Sequence, residues 1–535
     1  MKTRTAIIAI TALCCGWTGA MAQDLKSGPY TLPYKNTYVK EVFVAENEFR
    51  TKAAECVEPA SFEKAKAILP APVWEGHQAE IDMYWHAWKI AVGNIRQPEE
   101  GSGFVSSYLD VAYNGNIFMW DTSFMMMFAR YGYHFFPFQK SLDNFYAKQH
   151  PDGFICREIR ADGSDCFERY DPTSTGPNLL PWVELRYFQQ FGDEKRLHAI
   201  FPALCAYARW WRLNRTWPNG TYWSSGWGTG MDNMPRVKPE YSPIYSHGHM
   251  EWLDTNLQQM LVDESLLQIG FYIERWQEIE DMEDEMKFLR KHINEAMWSD
   301  DDTFLHDRYA DGSLCPTKGI SAFWALQTDA LEKERLDKLV AHLENEAEFN
   351  RPHRLPSLSA DHPKYHPQGR YWQGGVWPGT SYMLIDGLWM KGYRDLSRKL
   401  ADNHYANILQ VWKETGTFWE YYAPESVAPG FMARKDFVGW TGLPPIAVFI
   451  ESILGIRSDY AAGKVVWDLR HTEAHGIERY PFGPEALISL KAAKRKNAAA
   501  APVISVSTEV PFELEVIWDG GSKTVSVTGS ETIKL

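Results

Sequence analysis

A succession of amphipathic stretches runs from about residue 75 to residue 455. Apolar residues recur at spacings of three and four over Gln78–Gln97, Asp121–Tyr131, Pro137–Gln149, Asn178–Phe191, Asp193–Asn214 and Leu253–Glu274. The same spacing continues over Arg275–Met297, Ile320–Thr328, Leu331–Glu344, Thr380–Lys391, Tyr393–Glu414 and Thr441–Leu454. That period predicts helices. Asp193 is a candidate cap, Pro177-Asn178 a start and Gly392 a stop. A dozen helices with few strand patterns among them predict a mainly α domain of paired helices closing into a toroid. There is no repeat of fixed period.

After Gly455 the period changes to two. Val-Val-Trp, Ala-Leu-Ile-Ser-Leu, Val-Ile-Ser-Val, Phe-Glu-Leu-Glu-Val-Ile-Trp and Thr-Val-Ser-Val alternate, and Asp519-Gly520-Gly521 reads as a hairpin turn. These features predict a small C-terminal β-sandwich. The expected divisions are a signal peptide at 1–22, an irregular lead-in at 23–75 with one helix near Ser61–Leu69, a helical catalytic domain at 76–460, and a β domain at 461–535.

The leader expectation rests on Lys2 and Arg4, the apolar run Ala6–Cys15 and the small-x-small site Ala20-Met21-Ala22. It predicts an exported, periplasmic protein. Leu13 before Cys14 fits a lipoprotein signal poorly. The apolar run is short for a membrane span, and no other candidate occurs. Formal charge is −14, and loss of the two basic leader residues takes it to −16. An acidic exported chain is a poor binder of nucleic acid. Five cysteines follow the leader, with no spacing that suggests zinc. Cys156 and Cys166 flank a turn and read equally well as a disulfide or as two thiols.

Two loops carry an acidic residue among glycines and aromatics. One runs from Gly226 through Trp227 and Asp232 to Arg236, and the other from Gly416 through Glu420 to Glu425. A carboxylate beside Trp and Tyr is partly desolvated, which favours its acid form. Two such carboxylates facing each other across a sugar are the usual apparatus of glycoside hydrolysis.

Six motifs occur in order: Trp120-Asp121-Thr122, Phe154-Ile155-Cys156-Arg157-Glu158, Gly230-Met231-Asp232-Asn233-Met234-Pro235-Arg236, Trp372-Gln373-Gly374-Gly375-Val376-Trp377-Pro378, Trp419-Glu420-Tyr421-Tyr422-Ala423-Pro424-Glu425 and Gly439-Trp440-Thr441-Gly442-Leu443. This succession, over roughly residues 80–455, resembles the glycoside hydrolase family 63 and trehalase group, including its bacterial mannosylglycerate-hydrolase-like branch. The resemblance implies an (α/α)6 barrel that inverts configuration at an α-linked sugar without a metal or organic cofactor. It implies Asp232 as general acid and Glu420 as general base, with Glu425 a nearby rival.

The resemblance also places Asp121 on sugar hydroxyls, whereas the residues alone read equally as a helix cap. Arg157, Glu158 and Arg236 are candidates to hold hydroxyls or an acid group, or an ordinary ion-paired rim. Trp227 is expected beside Asp232, and Tyr421 and Tyr422 as donors to Glu420. Trp372 and Trp377 are candidate stacking platforms, although Trp377 reads equally as core. Gly375 would let the backbone come close, and Trp440 would wall the terminal sugar pocket. His247 and His249 lack a third ligand for a metal. Gln373 departs from the group, which often has Arg there. The expected activity is exo-acting removal of a terminal α-linked hexose, glucose-like, from an oligosaccharide. Rival classes are a polysaccharide lyase or epimerase on the same toroid, which would use a His or Tyr base, and a non-catalytic carbohydrate-binding protein.

Overall fold

The computed structural model describes residues 25–27, 30–32, 47–111 and 113–535. The leader expected at 1–22 lies outside the described residues.

Each of the twelve predicted windows contains helix. The principal ones are Gln78–Gly93, Met119–Ala129, Leu180–Phe191, Glu194–Asn214, Leu253–Tyr272, Glu280–His292, Lys333–Ala341, Pro378–Met390 and Arg394–Thr415. Local chemistry sets their ends. Asp193 accepts from the Arg196 amide to start one, and Gly416, at φ 72°, ends another in the left-handed region. Two windows depart from regular α geometry. Ile320–Gln327 is a 3-10 helix, and Leu443–Ile453, which carries Pro444 and Pro445 in its first turn, winds as a π-helix.

Six of these elements pack in sequence. The 119–129 helix lies against 180–191, that against 253–272, then 320–327, 378–390 and 443–453, which returns to 119–129. Others back this set: 194–214 and 280–292 lie on 253–272, 333–341 on 320–327, and 394–415 on 378–390. The Leu253–Tyr272 helix is therefore buried nearly all round, with polar Asp254, Asn256, Gln259 and Asp263 enclosed with its apolar residues. A helix covered on every side cannot show the single apolar stripe of a surface helix. Among the described residues, no helix is long and apolar enough to cross a membrane.

The C-terminal part forms two sheets. One has strands in the order Ile456–Asp459, Lys464–Asp468, Phe512–Trp518, Gly521–Val527. Trp518 pairs with Gly521, so Asp519 and Gly520 make the expected turn. The other runs Glu531–Lys534, Val503–Ser507, Ala486–Ala492, His475–Phe482, Ala71–Trp74. Alternate residues of Ala486–Ala492 are buried, as a period of two requires. Phe482 and Phe512 meet between the sheets with ring centroids 5.3 Å apart. The lead-in, expected to be irregular apart from one helix near Ser61–Leu69, holds that helix at Phe62–Ile68. Its strand Ala71–Trp74, paired with His475–Glu478, was not foreseen. That pairing joins residues some four hundred positions apart and leaves no local mark.

Ion pairs fasten the sheets to the helices. Asp386 takes Arg186 at 2.9 Å and Arg457 at 2.8 Å, and the Trp467 indole donates to the Leu454 carbonyl. All five described cysteines are free thiols, so Cys156 and Cys166 are unbridged.

Candidate active site

The N-terminal ends of several inner helices, with the loops that lead into them, open on one cavity of about 300 Å³. Its walls are Tyr113, Phe118, Trp120, Asp121, Arg157, Glu158, Gly176, Pro177, Trp227, Gly230, Asp232, Tyr371, Glu420, Phe437 and Trp440. Eight residues singled out in the sequence thus converge: Asp232, Glu420, Trp120, Asp121, Arg157, Glu158, Trp227 and Trp440.

The Asp232 loop is short and tied down. Ser225 caps the turn Gly226–Thr229, and Gly230 ends it at φ 71°. A Cβ on Gly230 would meet the Trp120 indole at 3.0 Å, so glycine lets this loop lie against the cavity wall. Asn233 then joins this loop to the next. Its Oδ1 accepts from the Trp372 amide at 2.8 Å, and its Nδ2 donates to the Arg370 carbonyl. Gln373, the residue that departs from the family pattern, donates to the Asn233 carbonyl at 3.3 Å.

Glu420 is held through its backbone. Its amide donates to the Arg434 carbonyl, and its carbonyl accepts from the Trp440 indole at 2.7 Å. Among the described residues, the carboxylate itself accepts from the Arg434 amide alone, at 3.4 Å. Tyr421 and Tyr422 do not serve it, contrary to expectation. The Tyr421 hydroxyl donates to the Phe431 carbonyl, and that of Tyr422 accepts from the Trp419 amide. The rival Glu425 lines no part of the cavity. It is paired with Arg351 at 2.6 and 2.9 Å and with the Tyr365 hydroxyl, which holds it below the usual carboxylate range.

Three of the four carboxyl groups that line the cavity hold their protons above the usual carboxylate range. Burial pushes Asp232 up to about 6, while Arg157 and hydrogen bonds from Tyr371 and Trp227 pull it back. Burial pushes Glu420 up to about 7, eased by the Arg434 amide and added to by the Asp232 charge. Asp121 is held well above the carboxylate range by burial, then by the charges of Glu420 and Asp232. It occupies the third residue of its helix and is not the N-cap, which is Phe118. Arg157 is fixed by a bond from Nε to the Thr173 carbonyl at 2.7 Å and lies over the rings of Phe167 and Trp227. Glu158 accepts from Asn116 at 2.7 Å.

Five residues expected to touch substrate lie elsewhere. Arg236 is 1% exposed, its guanidinium 4.2 Å over the Trp252 ring, bonded to Asp254 and the Thr229 hydroxyl at 2.9 Å each. It latches the Asp232 loop to the 253–272 helix and lines no part of the cavity. Trp372 and Trp377 are stacked on each other at 4.2 Å, and Trp377 lies on Tyr421 at 4.4 Å, so all three are core. Trp377 nevertheless touches Tyr371 and Trp440 edge-on, backing two walls of the cavity. Gly375 serves close approach to protein, since a Cβ there would lie 2.4 Å from the Tyr371 carbonyl. His247 and His249 pack on one another and on Trp217.

Sequence reasoning missed Tyr371, Tyr113, Phe118, Phe437, Gly176 and Pro177. Tyr371 adjoins a quoted motif, and Phe437 stands three residues before Trp440. Tyr371 holds a left-handed φ of 59°, costly for a bulky residue, which turns its side chain toward Asp232.

Comparison with known proteins bears on this arrangement. The family model described as the mannosylglycerate hydrolase MGH1-like glycoside hydrolase domain matches residues 116–439. An uncharacterized protein of Borreliella burgdorferi is 24% identical over 356 residues, 63% of this chain and 72% of its own length. A probable mannosyl-oligosaccharide glucosidase of Schizosaccharomyces pombe is 22% identical over 281 residues, 46% of this chain, and the match spans only 34% of that relative. Among solved structures, a GH63 mannosylglycerate hydrolase from Thermus thermophilus, in complex with glucose, superposes with a TM-score of 0.55 at 19% identity. That superposition covers 69% of this chain and 99% of the other, a likeness of fold.

Proposed function

From the premise that this chain belongs to the MGH1-like glycoside hydrolases of family 63, we propose that it is an inverting exo-α-glycosidase. Its substrate is a terminal α-linked hexose, glucose-like, on an oligosaccharide. Asp232 is the general acid and Glu420 the general base. In this chemistry the acid protonates the departing oxygen while the base activates water on the other face of the ring. Asp121, Glu158 and Arg157 hold hydroxyls of the terminal sugar, and Trp120, Trp227 and Trp440 enclose it.

The observation that carries the reading is the convergence of Asp232, Glu420 and Asp121 on one aromatic-walled cavity, with Glu425 engaged elsewhere. Burial raises the proton affinity of both Asp232 and Glu420, to about 6 and about 7, so the two roles are assigned from the motifs that carry them and not from the order of these values. The Glu420 carboxylate, short of protein donors, is open to a water.

The closed succession of six packed inner elements supports an (α/α)6 toroid, with the paired C-terminal sheets as a small β-sandwich. We take 76–460 as the catalytic domain and 461–535 as the β domain. The basic, apolar and small-x-small order of residues 1–22 supports export, with a periplasmic location.

The test is a hydrolysis screen of α-linked gluco-, manno- and galacto-oligosaccharides with wild type, Asp232→Asn and Glu420→Gln. Release of one hexose by wild type, lost in both variants, is the expected result. Sugar binding with no product would overturn the reading in favour of a binding protein, and an ultraviolet-absorbing unsaturated product would overturn it in favour of a lyase.

A further inference from the structure

A second cavity, of about 260 Å³, is close in size to the catalytic one and shares no described lining residue with it. Trp217, Asn219, His249, Glu251, Arg308 and Tyr309 supply its aromatic and polar side chains. Two local pairings build it. Thr216 bridges to Tyr222, and the tight turn between them presents Trp217 and Asn219. The strand pair of Met250–Glu251 with Arg308–Tyr309 presents Glu251, Arg308 and Tyr309.

These side chains are anchored to the protein. The Trp217 indole donates to the Met250 carbonyl at 2.8 Å. The Asn219 oxygen accepts from the amide and hydroxyl of Thr221, and its Nδ2 donates to Glu251 at 2.8 Å. Arg308 Nη1 donates to the same Glu251 oxygen at 3.1 Å, while the other oxygen meets His292 at 2.6 Å. The Tyr309 hydroxyl donates to the Arg236 carbonyl at 3.1 Å. His249, at a left-handed φ of 48°, lies 22° from the plane of Trp217 with centroids 6.1 Å apart. An amide nitrogen carries two N–H groups and a guanidinium five, so anchoring leaves Asn219 and Arg308 with donors to offer. An aromatic wall beside two fixed planar donors suits a ring with C–H faces and hydroxyl edges. Groups already fixed lose little freedom on binding.

We propose that this cavity is a second carbohydrate site, which holds one sugar ring of a polysaccharide chain against Trp217, with Asn219 and Arg308 on its hydroxyls. The proposal goes beyond the glycosidase reading, since it needs no bond to be cleaved. Arg236 ties the two cavities. Its carbonyl takes the Tyr309 hydroxyl of this one, and its guanidinium bonds Thr229 in the loop that carries Asp232. A chain held here is kept near the catalytic cavity, which raises its effective concentration there.

The experiment is affinity electrophoresis of the full chain in native gels that contain soluble α-glucan, α-mannan or galactan. All proteins carry Asp232→Asn, and to that background are added Trp217→Ala, Trp217→Phe, Arg308→Gln or, in the catalytic cavity, Trp120→Ala. The background protein should be retarded by at least one polymer. Trp217→Ala should raise the apparent Kd about fivefold to tenfold, and Arg308→Gln about threefold. Trp217→Phe should keep most of the retardation, because a ring makes the wall, and Trp120→Ala should keep all of it. With Asp232 intact, Trp217→Ala should cleave a soluble trisaccharide within about twofold of wild type, which shows that the variant is folded. No retardation by any of the three polymers, or equal retardation with and without Trp217, would overturn the proposal. So would a retardation lost in Trp120→Ala and kept in Trp217→Ala, which would assign the binding to the catalytic cavity. Retardation that depends on Trp217, in a chain whose wild type hydrolyses no sugar, would uphold the second site and overturn the glycosidase reading alone.

Discussion

Replacing Asp232 with Asn keeps the shape of the side chain and removes its proton. The cavity holds Asp232 at about 6 and Glu420 at about 7. The competent form needs the first protonated and the second ionised, the reverse of their order. Treated as independent, that form peaks at about 6% of the enzyme, at about pH 6.5, with limbs near the two values. Wild type on an α-linked oligosaccharide should therefore give a narrow bell in kcat/KM. Asp232→Asn should lose about 10²- to 10⁴-fold on that substrate, the usual worth of a general acid. On the α-glycosyl fluoride, whose leaving group departs without a proton, the same variant should lose far less. Its falling limb should vanish. Its rising limb should then report Glu420 alone, at a value below about 7, because the Asp232 charge no longer raises Glu420. Rates are read by fluoride electrode and by released hexose across pH 4–9. Equal loss on both substrates, or a falling limb that survives, would refute Asp232 as the acid.

Three further outcomes follow from the same geometry. Glu420 binds its proton more tightly folded than unfolded, so its contribution is least unfavourable below its unfolded value and worsens as pH rises through about 7; Glu420→Gln should raise the melting temperature at pH 8 relative to wild type, and much less at pH 4. Arg236→Met should cost about 3–5 kcal/mol in denaturant unfolding, since it strands buried Asp254 without its partner, and Arg236→Lys should recover part of that. Gly375→Ala should lower kcat/KM while the fold persists by circular dichroism, because its Cβ displaces the Tyr371 carbonyl and with it the wall beside Asp232.

Much of this was legible in the sequence because it is local. Helical spacing, the Asp193 cap and the alternation at Ala486–Ala492 are written in neighbouring residues. Asp232, Glu420 and Asp121 stood out because each is acidic within an aromatic or glycine-rich motif. What failed was the distinction between lining and backing. Trp372 and Trp377 look like platforms by composition and Tyr421 like a donor to Glu420, yet the three stack on one another one layer behind the cavity. Arg236 has the chemistry to hold a substrate acid, but Asp254, from a helix that starts seventeen residues on, claims it. Tyr371 was passed over because its role depends on a left-handed backbone angle that an ordinary tyrosine does not announce. The Ala71–Trp74 strand was missed because its partner lies at the far end of the chain.

In the proposed mechanism Asp232 and Glu420 act across the sugar through water. Proton NMR of the first minutes of hydrolysis of an α-linked oligosaccharide tests it most directly. Inversion releases the β-anomer of the hexose first, which then mutarotates. Early appearance of the α-anomer would mean retention through a covalent intermediate and would contradict Glu420 as a base acting through water.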